Sequence, residues 1–513
     1  MIPSESEGGI IMALITERYK DKIDSVLTCY DRVLVQGCIP QWSFSEGMTR
    51  YIGSKGIMVF KYKEEFAQPL TKAVRENAEQ IAADNGIEIE FIRKVGAFRK
   101  DDRIEEIIKE KKVASGLVHI FSAMEGCHSY DPWHNKQTHQ TYLRNSRSQC
   151  LHYYFYFIDP VYGLCYFRVP TWPPFRIQFY MNGHNILENQ MKKSEVEYEK
   201  LLNSFSHIGD PEKAQKLAER IDPNGLHKAL NAMAKRYCPV IPEEMGYSWT
   251  IQQIECSTDI IFKKQEYLSP VYDQIIYNAI HTVKPDNVAT FLGQKITWNF
   301  KKEAGTNFNQ RILGTRIKHH MGDVSIKMYD KQGLVLRIEC TSNNVGDFRV
   351  NREVQHRDGT TTTEKAPLKK SIYSLFRLFT IMKSANYRYL EFVSSFDDYS
   401  DGEKKLMEVT RSVSEDGRSF KGINFFEARD LSVLQTLGRG EFQTFGLRNK
   451  QLREYLPSIK PSAMTRILKR LCLHNLIVKI EHTSRYSITL LGRQVITAGL
   501  AVRNLVIVPR LAT

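Results

Sequence analysis

Residues near the C-terminus have the types and spacing of an amphipathic helix with a basic side. In SAMTRILKRLCLHNL (462–476), Met464, Ile467, Leu468 and Leu471 recur at helical spacing, which predicts one buried stripe. Serine, threonine, arginine and lysine residues lie off this stripe, and a helix of this kind fits the major groove of DNA. The predicted DNA-contacting residues are Lys460, Ser462, Thr465, Arg466, Lys469 and Arg470.

The residues after this helix predict a basic hairpin. The segment IVKIEHTSRYSITL (477–490) has two short apolar runs around a polar turn, which is typical of a β-hairpin. Lys479, His482 and Arg485 would reach phosphate or the minor groove.

Positive charge is concentrated in the same C-terminal region. From Asp430 to Thr513 the chain holds 13 Lys and Arg against four Asp and Glu, so this segment carries most of the net charge of +14. A local excess of this kind is expected of a phosphate-binding surface. Double-stranded DNA is therefore the predicted partner, with RNA binding and a purely protein-contacting role as the alternatives.

A second candidate surface lies in the aromatic segment 150–184. Bases stack on aromatic rings and arginine follows the phosphate backbone, so single-stranded DNA or RNA could bind here. The alternative is the core of a sheet, since alternating aromatic residues are also typical of a buried strand. The candidate contacts are Arg168, Trp172, Arg176, Gln178 and Asn182.

A third group surrounds the predicted hairpin 323–341 and could form an active site. Its candidate catalytic residues are His320, Tyr329, Asp330 and Glu339. "YDK…RIE" resembles motifs of rolling-circle replication initiators, which nick DNA with a metal-bound His pair and a nucleophilic Tyr. Here His319 and His320 are adjacent, and adjacent strand residues point to opposite faces, so they cannot share one metal. A hairpin with cross-strand charge pairs is the alternative.

Metal and nucleotide signatures are lacking. Cys127, His128, His134, His139 and His152 match no zinc spacing and predict a local polar loop. There is no P-loop, GxSxG elbow, HExxH or dinucleotide-binding fingerprint. We therefore predict no metal site and identify no cofactor, apart from a divalent metal if the protein is a nuclease.

The elements that would hold these residues predict an α/β (α+β) multidomain protein. Residues 1–15 predict a disordered leader, 16–185 an N-terminal α/β domain and 186–240 a helical connector. Residues 241–425 predict a second α/β domain. Helices over 430–441, 447–456, 462–476 and 491–507, with the hairpin between the last two, predict a winged helix-turn-helix domain over 426–513.

Cellular context follows from composition. Nine scattered cysteines without a CxxC pair suit free thiols in a reducing compartment. We find no signal peptide and no uninterrupted apolar run of about 20 residues. A cytoplasmic protein without a membrane partner is expected.

Two resemblances add to these patterns. The phrase RILKRL…LIVKI…RYSITLLG resembles the MarR-like winged helix-turn-helix group, and this resemblance covers only the C-terminal region of the chain. The segments 150–184 and 314–341 resemble an uncharacterised bacterial family that joins a large N-terminal portion to a MarR-like domain. The resemblance implies this architecture, a role in transcription regulation and a homodimer, and it implies no established activity for the N-terminal portion.

The sequence thus favours a non-enzymatic protein that binds double-stranded DNA. The rival is a metal-dependent nuclease or strand-transfer enzyme of a mobile element or replication system. An RNA-binding component of a ribonucleoprotein is a third alternative.

Overall fold

The computed structural model describes residues 14–93, 96, 98–242, 244–293, 303–311, 314–394, 400–439, 441–442, 446–480 and 483–511. The chain divides into two compact units, Met1–Asp397 (unit 1) and Asp398–Thr513 (unit 2). Each unit has its own apolar core. The predicted mixed α/β fold is confirmed.

Unit 1 is built on one large sheet of eleven strands, antiparallel except for one parallel pair at its edge. Its spatial order is β10-β11-β12-β13-β9-β1-β6-β5-β4-β3-β2. The strands of unit 1, including two separate hairpins, are β1 (Ile23–Cys38), β2 (Ile89–Ile92), β3 (Gly116–Asn135), β4 (Gln140–Asp159), β5 (Gly163–Pro170), β6 (Ile177–Met181), β7 (Tyr198–Lys200), β8 (Phe205–Ile208), β9 (Ser248–Phe262), β10 (Ala304–Arg311), β11 (Gly314–Met321), β12 (Val324–Lys331), β13 (Val335–Ser342), β14 (Arg349–Gln355) and β15 (Thr361–Pro367).

Helices cover the sheet unequally. The apolar sides of α3, α7, α8, α9 and α10 pack on one face in the main core. On the opposite face, α5 and α6 pack over β1 and β9, and α4 packs over β3 and β4. The helices of unit 1 are α1 (Ile15–Arg18), α2 (Ser45–Ser54), α3 (Gln68–Asp84), α4 (Lys100–Lys111), α5 (Gly183–Lys193), α6 (Pro211–Ala218), α7 (Pro223–Tyr237), α8 (Gln265–Thr282), α9 (Pro285–Phe291) and α10 (Leu375–Ser394).

The predicted boundary between two α/β domains, 16–185 and 241–425, is not a boundary in the structure. Strand β9 pairs with β1 on one side and with β13 on the other, so one sheet joins both portions. The predicted connector 186–240 is part of the same unit, because α5 and α6 pack against the sheet. Ile15 is buried, so the predicted leader is wrong there, and residues 1–13 lie outside the described residues.

The predictions of single hairpins, strands and loops were more accurate than the predicted domain boundary. Two alternating runs around Asp159, Pro160 and Gly163 predict a hairpin over 151–169, and this hairpin and the one over 323–341 are confirmed, with β4 paired to β5 and β12 paired to β13. The pattern RYLEFVSSF (388–396) predicts a strand, but residues up to Ser394 continue α10, and residues 395 and 396 lie outside the described residues. The polar stretch HRDGTTTTEK (356–365) predicts a surface loop, which is wrong in part, since Thr361–Pro367 forms β15 and pairs with β14.

In the part of unit 2 that the structure describes, helices α12 to α15 lie around a small three-stranded sheet, and a further helix and a short hairpin precede them. Strand β18 lies beside β20, which also pairs with β19. Pro461–Leu473 and the helix before it agree with the predicted helices, and the predicted hairpin over 477–490 is present as β19 and β20. The elements are α11 (Ser400–Thr410), β16 (Val413–Glu415), β17 (Arg418–Phe420), α12 (Ala428–Leu437), β18 (Leu447–Arg448), α13 (Asn449–Tyr455), α14 (Pro461–Leu473), β19 (Ile477–Lys479), β20 (Arg485–Ile488) and α15 (Leu490–Ala501).

The last helix is the most apolar. In the part of the chain that the structure describes, Leu490–Leu511 alone has the length and composition of a membrane span, with a mean hydropathy of 1.3. Arg493, Arg503 and Arg510 interrupt it. One such helix is weak evidence for a membrane, and the expectation of no membrane partner stays a prediction.

Candidate nucleic-acid interface

Helix α14 separates an apolar side from a polar side. Pro461 stands at its first turn, where its missing N–H costs nothing. Met464, Ile467, Leu468 and Leu471 are buried in the core of unit 2. The residues exposed on the other side are Lys460, Ser462, Thr465, Arg466 and Lys469. Five of the six predicted contacts of this helix are therefore accessible.

The exposed side chains differ in how firmly they are held. The Thr465 hydroxyl donates to the Pro461 carbonyl at 3.1 Å and accepts from the Asn449 amide at 3.0 Å. Lys469 pairs with Glu415, and its ammonium lies 5.8 Å from the centre of the Phe420 ring. Arg466 makes no ion pair with a residue that the structure describes, so its guanidinium is free to meet an anion.

Arg470 corrects the sequence prediction. Its side chain is buried and bonds the carboxylate of Asp430 on α12. The second oxygen of Asp430 accepts from the backbone N–H of Asn424 at 3.0 Å. Because Arg470 holds two helices together, it is not available to DNA. The signal that could have found this pair was Asp430, a single acid in the apolar helix DLSVLQTL.

The hairpin of β19 and β20 presents basic side chains. Lys479 and Arg485 are exposed, as expected for contacts to a phosphate backbone. The backbone N–H of Ile480 donates to the Arg485 carbonyl at 2.9 Å and closes the base of the turn. His482 lies outside the described residues.

A basic cleft beside α14 was not foreseen from the sequence. Its volume is about 1230 Å³. Glu427, which bonds Lys421, and Glu415, which bonds Lys469, offset part of the charge. The cationic side chains that line the cleft, besides the buried Arg470, are Arg418, Lys421, Arg429, Lys460, Arg466 and Lys469. We name this set the basic cleft. Arg418, Lys421 and Arg429 precede residue 430, so the charge count over residues 430–513 did not include them.

The second predicted surface is mostly closed in the structure. Arg168 bonds Glu125 and donates to Gln178 at 3.2 Å. These two partners lie on the sheet face that carries α4 and α5. Asn182 is buried, caps α5 and donates to Asp31 at 3.2 Å. Trp172 packs partly against the main core, and the half-buried Arg176 donates to the Ser43 carbonyl at 3.5 Å.

The aromatic residues of this segment belong to the core. The rings of Phe155 and Phe167 lie 4.5 and 5.6 Å from that of Tyr237 on α7. On the opposite face Tyr166 and Tyr180 stack on each other at 4.9 Å. These rings pack on neighbouring rings of the protein, so the sheet-core alternative is supported.

The candidate catalytic residues are only partly brought together. The Tyr329 hydroxyl donates to Glu339 at 2.9 Å, across β12 and β13. Asp330 instead caps the turn, where it accepts from the Gly333 N–H at 2.8 Å. His320 lies one strand farther out on β11, opposite Ser325. The predicted opposite orientation of the His pair is confirmed, since His319 is buried and bonds Tyr389 in the main core.

Beside Glu339 lies a buried charge network that sequence reasoning missed. The Arg337 guanidinium bonds Asp259 at 2.6 Å and Asp31 at 3.1 Å. Burial alone would raise the pKa of Asp259, but the Arg337 charge outweighs it and holds that pKa well below its usual range. His184 lies 3.4 Å from Asp31. The partners come from β1, β9 and β13, which are far apart in the sequence, so no local motif marks them.

The cysteine and histidine cluster lies mainly on strands. Cys127, His128 and His134 belong to β3 and His152 belongs to β4, so the predicted polar loop is wrong for these four, while His139 lies in the turn between the strands.

No family model, no curated protein and no solved structure matches the chain. The resemblances drawn from the sequence therefore stay predictions.

Proposed function

We propose that unit 2 is a winged helix-turn-helix domain and that the protein binds double-stranded DNA through it, as a transcription regulator would. The observation that carries the proposal is the exposed basic side of α14 beside the basic cleft. Helix α14 would enter the major groove, and the hairpin of β19 and β20 would form the wing. The element order from α12 to α15 suits this domain type.

Electrostatics supports DNA as the partner. Arg466 has no anion partner among the described residues, and the arginine fork fits guanine edges or phosphate. Six cations around one cleft match a backbone with a charge on every phosphate. A surface meant only for protein contact gains little from such a concentration of like charge.

The test is binding of the full-length protein to duplex DNA, single-stranded DNA and RNA over a salt series. Duplex binding should weaken steeply as salt rises, because phosphate contacts release counterions. Arg466→Ala and Lys469→Ala should each cost about 1–3 kcal/mol if they meet base edges, and each should reduce the salt slope by about 1 if they meet phosphate. Arg411→Ala removes the same charge from an exposed site outside the cleft and serves as the control.

The outcome separates the alternatives. Unchanged affinity in both α14 variants would refute the assignment of this helix. Preference for RNA or single strands would favour the ribonucleoprotein alternative. Mg²⁺ is included and the probes are then checked for strand breaks, because metal-dependent nicking would favour the nuclease.

A further inference from the structure

Three carboxylates meet on one face of the large sheet in unit 1, which does not contain the proposed DNA-binding helix. Asp31 is on β1, Glu255 on β9 and Glu339 on β13, and one oxygen from each lies within 4.8 Å of the others. The pairing of β1 with β9 shifts register between Tyr30 and Arg32. Asp31 is the extra residue of this bulge, and bulges re-aim side chains.

A buried hydroxyl points to the same place. Ser257 is fully buried, and its Oγ has no hydrogen-bond partner among the described residues. Ser257 alternates with Glu255 along β9 and stands opposite Glu339 on β13, so its side chain emerges on the face of these carboxylates. An unpaired buried hydroxyl is costly, which is a reason to look for a ligand that it would bind.

We propose that Asp31, Glu255 and Glu339 bind one divalent cation of the Mg²⁺ or Mn²⁺ type, with the Ser257 hydroxyl beside it. Carboxylate and hydroxyl oxygens are the ligands that such hard cations prefer. The cation would also relieve the repulsion between the carboxylates.

The surroundings of the carboxylates suit this role. Asn203 donates to both oxygens of Asp31, at 2.7 and 3.0 Å, and the Tyr329 hydroxyl donates to Glu339. Hydrogen bonds of this kind orient carboxylates that bind metals.

Lys327 occupies the position of a competitor. Its ammonium lies 2.6 Å from Glu339 and 3.6 Å from Glu255. A cation that enters must displace this ammonium from one or both carboxylates. Removing the lysine charge should therefore tighten cation binding, which a purely structural salt bridge would not do.

The test is a titration of the metal-free full-length protein with Mn²⁺, in which electron paramagnetic resonance measures how much Mn²⁺ is bound. Wild type should bind one Mn²⁺. Glu255→Gln should weaken binding about tenfold or more, Ser257→Ala should weaken it by a smaller factor, and Lys327→Gln should strengthen it. Glu266→Gln, at an exposed acid on α8, should leave binding unchanged.

Circular dichroism establishes that each variant is folded. The absence of saturable Mn²⁺ binding to wild type would overturn the proposal, and so would equal affinity of wild type and a folded Glu255→Gln. Weaker binding to Lys327→Gln would also contradict it, because the lysine would then not compete with the cation. None of these outcomes depends on DNA binding by unit 2.

Discussion

Two arginines one helical turn apart on α14 have opposite environments. Arg466 is exposed, whereas Arg470 is buried against Asp430. Arg470→Ala should lower the free energy of unfolding of unit 2 by about 3–5 kcal/mol, because it leaves the Asp430 carboxylate buried without its cation. Arg466→Ala should change stability by less than about 0.5 kcal/mol. Urea unfolding followed by circular dichroism measures both.

A double variant isolates the cause. Arg470→Met combined with Asp430→Leu removes both charges, and it should recover most of the stability lost in Arg470→Ala. If the double variant were as unstable as the single one, shape and not the unpaired charge would explain the loss.

His319 makes the stability of unit 1 depend on pH. It lies between the hydroxyls of Thr306 and Tyr389, at 2.8 and 3.0 Å, and burial with the nearby His320 lowers its pKa from 6.5 to about 4. The folded state thus favours the neutral ring. Its contribution is fully present above pH 6.5 and is lost as pH falls from 6.5 to about 4. The total loss is about 3 kcal/mol.

The measurement is urea unfolding of unit 1 at pH 7 and pH 5. His319→Gln cannot take up this proton, so its stability should fall less over the same range. An equal fall in both proteins would assign the pH dependence to other groups.

At the residue scale, the sequence predicts which way a side chain points better than it predicts which residue that side chain contacts. The opposite orientation of His319 and His320 follows from the two-residue period of a strand and was predictable. The pairing of Arg470 with Asp430 was not predictable from the spacing of α14 alone, because that spacing shows only that position 470 borders the apolar stripe. Whether such a residue faces water or a buried acid depends on another helix.

At the element scale, strands with alternating side chains were predictable, whereas the end of one aromatic helix was not. The β12–β13 hairpin alternates and turns at Gly333, so its register could be read. In α10, aromatic residues favour a strand over 388–396, yet Tyr389, Leu390 and Val393 continue the buried side of the helix. Tertiary packing outweighs local strand propensity there.

Helix α5 depends on the absence of a side chain at its first residue. A Cβ on Gly183 would stand 2.2 Å from the carbonyl oxygen of Tyr30 on β1. Gly183→Ala should therefore push α5 away from the sheet and destabilise unit 1 by about 1–3 kcal/mol. Denaturant unfolding measures the loss.

Gly53 supplies the matched control. It lies within α2, and a Cβ there would meet nothing within 4 Å. Gly53→Ala should stabilise the protein by about 0.5–1 kcal/mol, since alanine loses less backbone entropy in a helix. If both alanine variants shifted stability in the same direction, the contact with Tyr30 would not be decisive.

At the scale of the whole molecule, the domain boundary was the main error. Strand β1 pairs with β9, which comes much later in the chain, and β9 pairs with β13. Pairings between strands so far apart in the chain cannot be recognised from a local sequence pattern, whereas the helical pattern over 186–240 predicts a connector. The C-terminal unit begins at Asp398 and not at the predicted 426. The rest of it was easier to predict because its strand pairs and its core all lie within the single stretch 409–496.

Separate cores predict separate unfolding transitions. Leu468 is 1 % exposed in the core of unit 2, and among the described residues this core and the main core of unit 1 have no member in common. Leu468→Asp buries an unpaired charge and should abolish the transition of unit 2 while that of unit 1 stays in place. Thr465→Asp adds the same charge at an exposed position of α14 and should leave both transitions.

Differential scanning calorimetry of the full-length variants resolves this. The reciprocal change is a drop from pH 7 to pH 5, where loss of the His319 contribution should lower the Tm of unit 1 more than that of unit 2. A single transition that moves as a whole in Leu468→Asp would mean that the two units unfold together. DNA bound by unit 2 should then also protect unit 1, whereas independent units confine that stabilisation to the unit that binds.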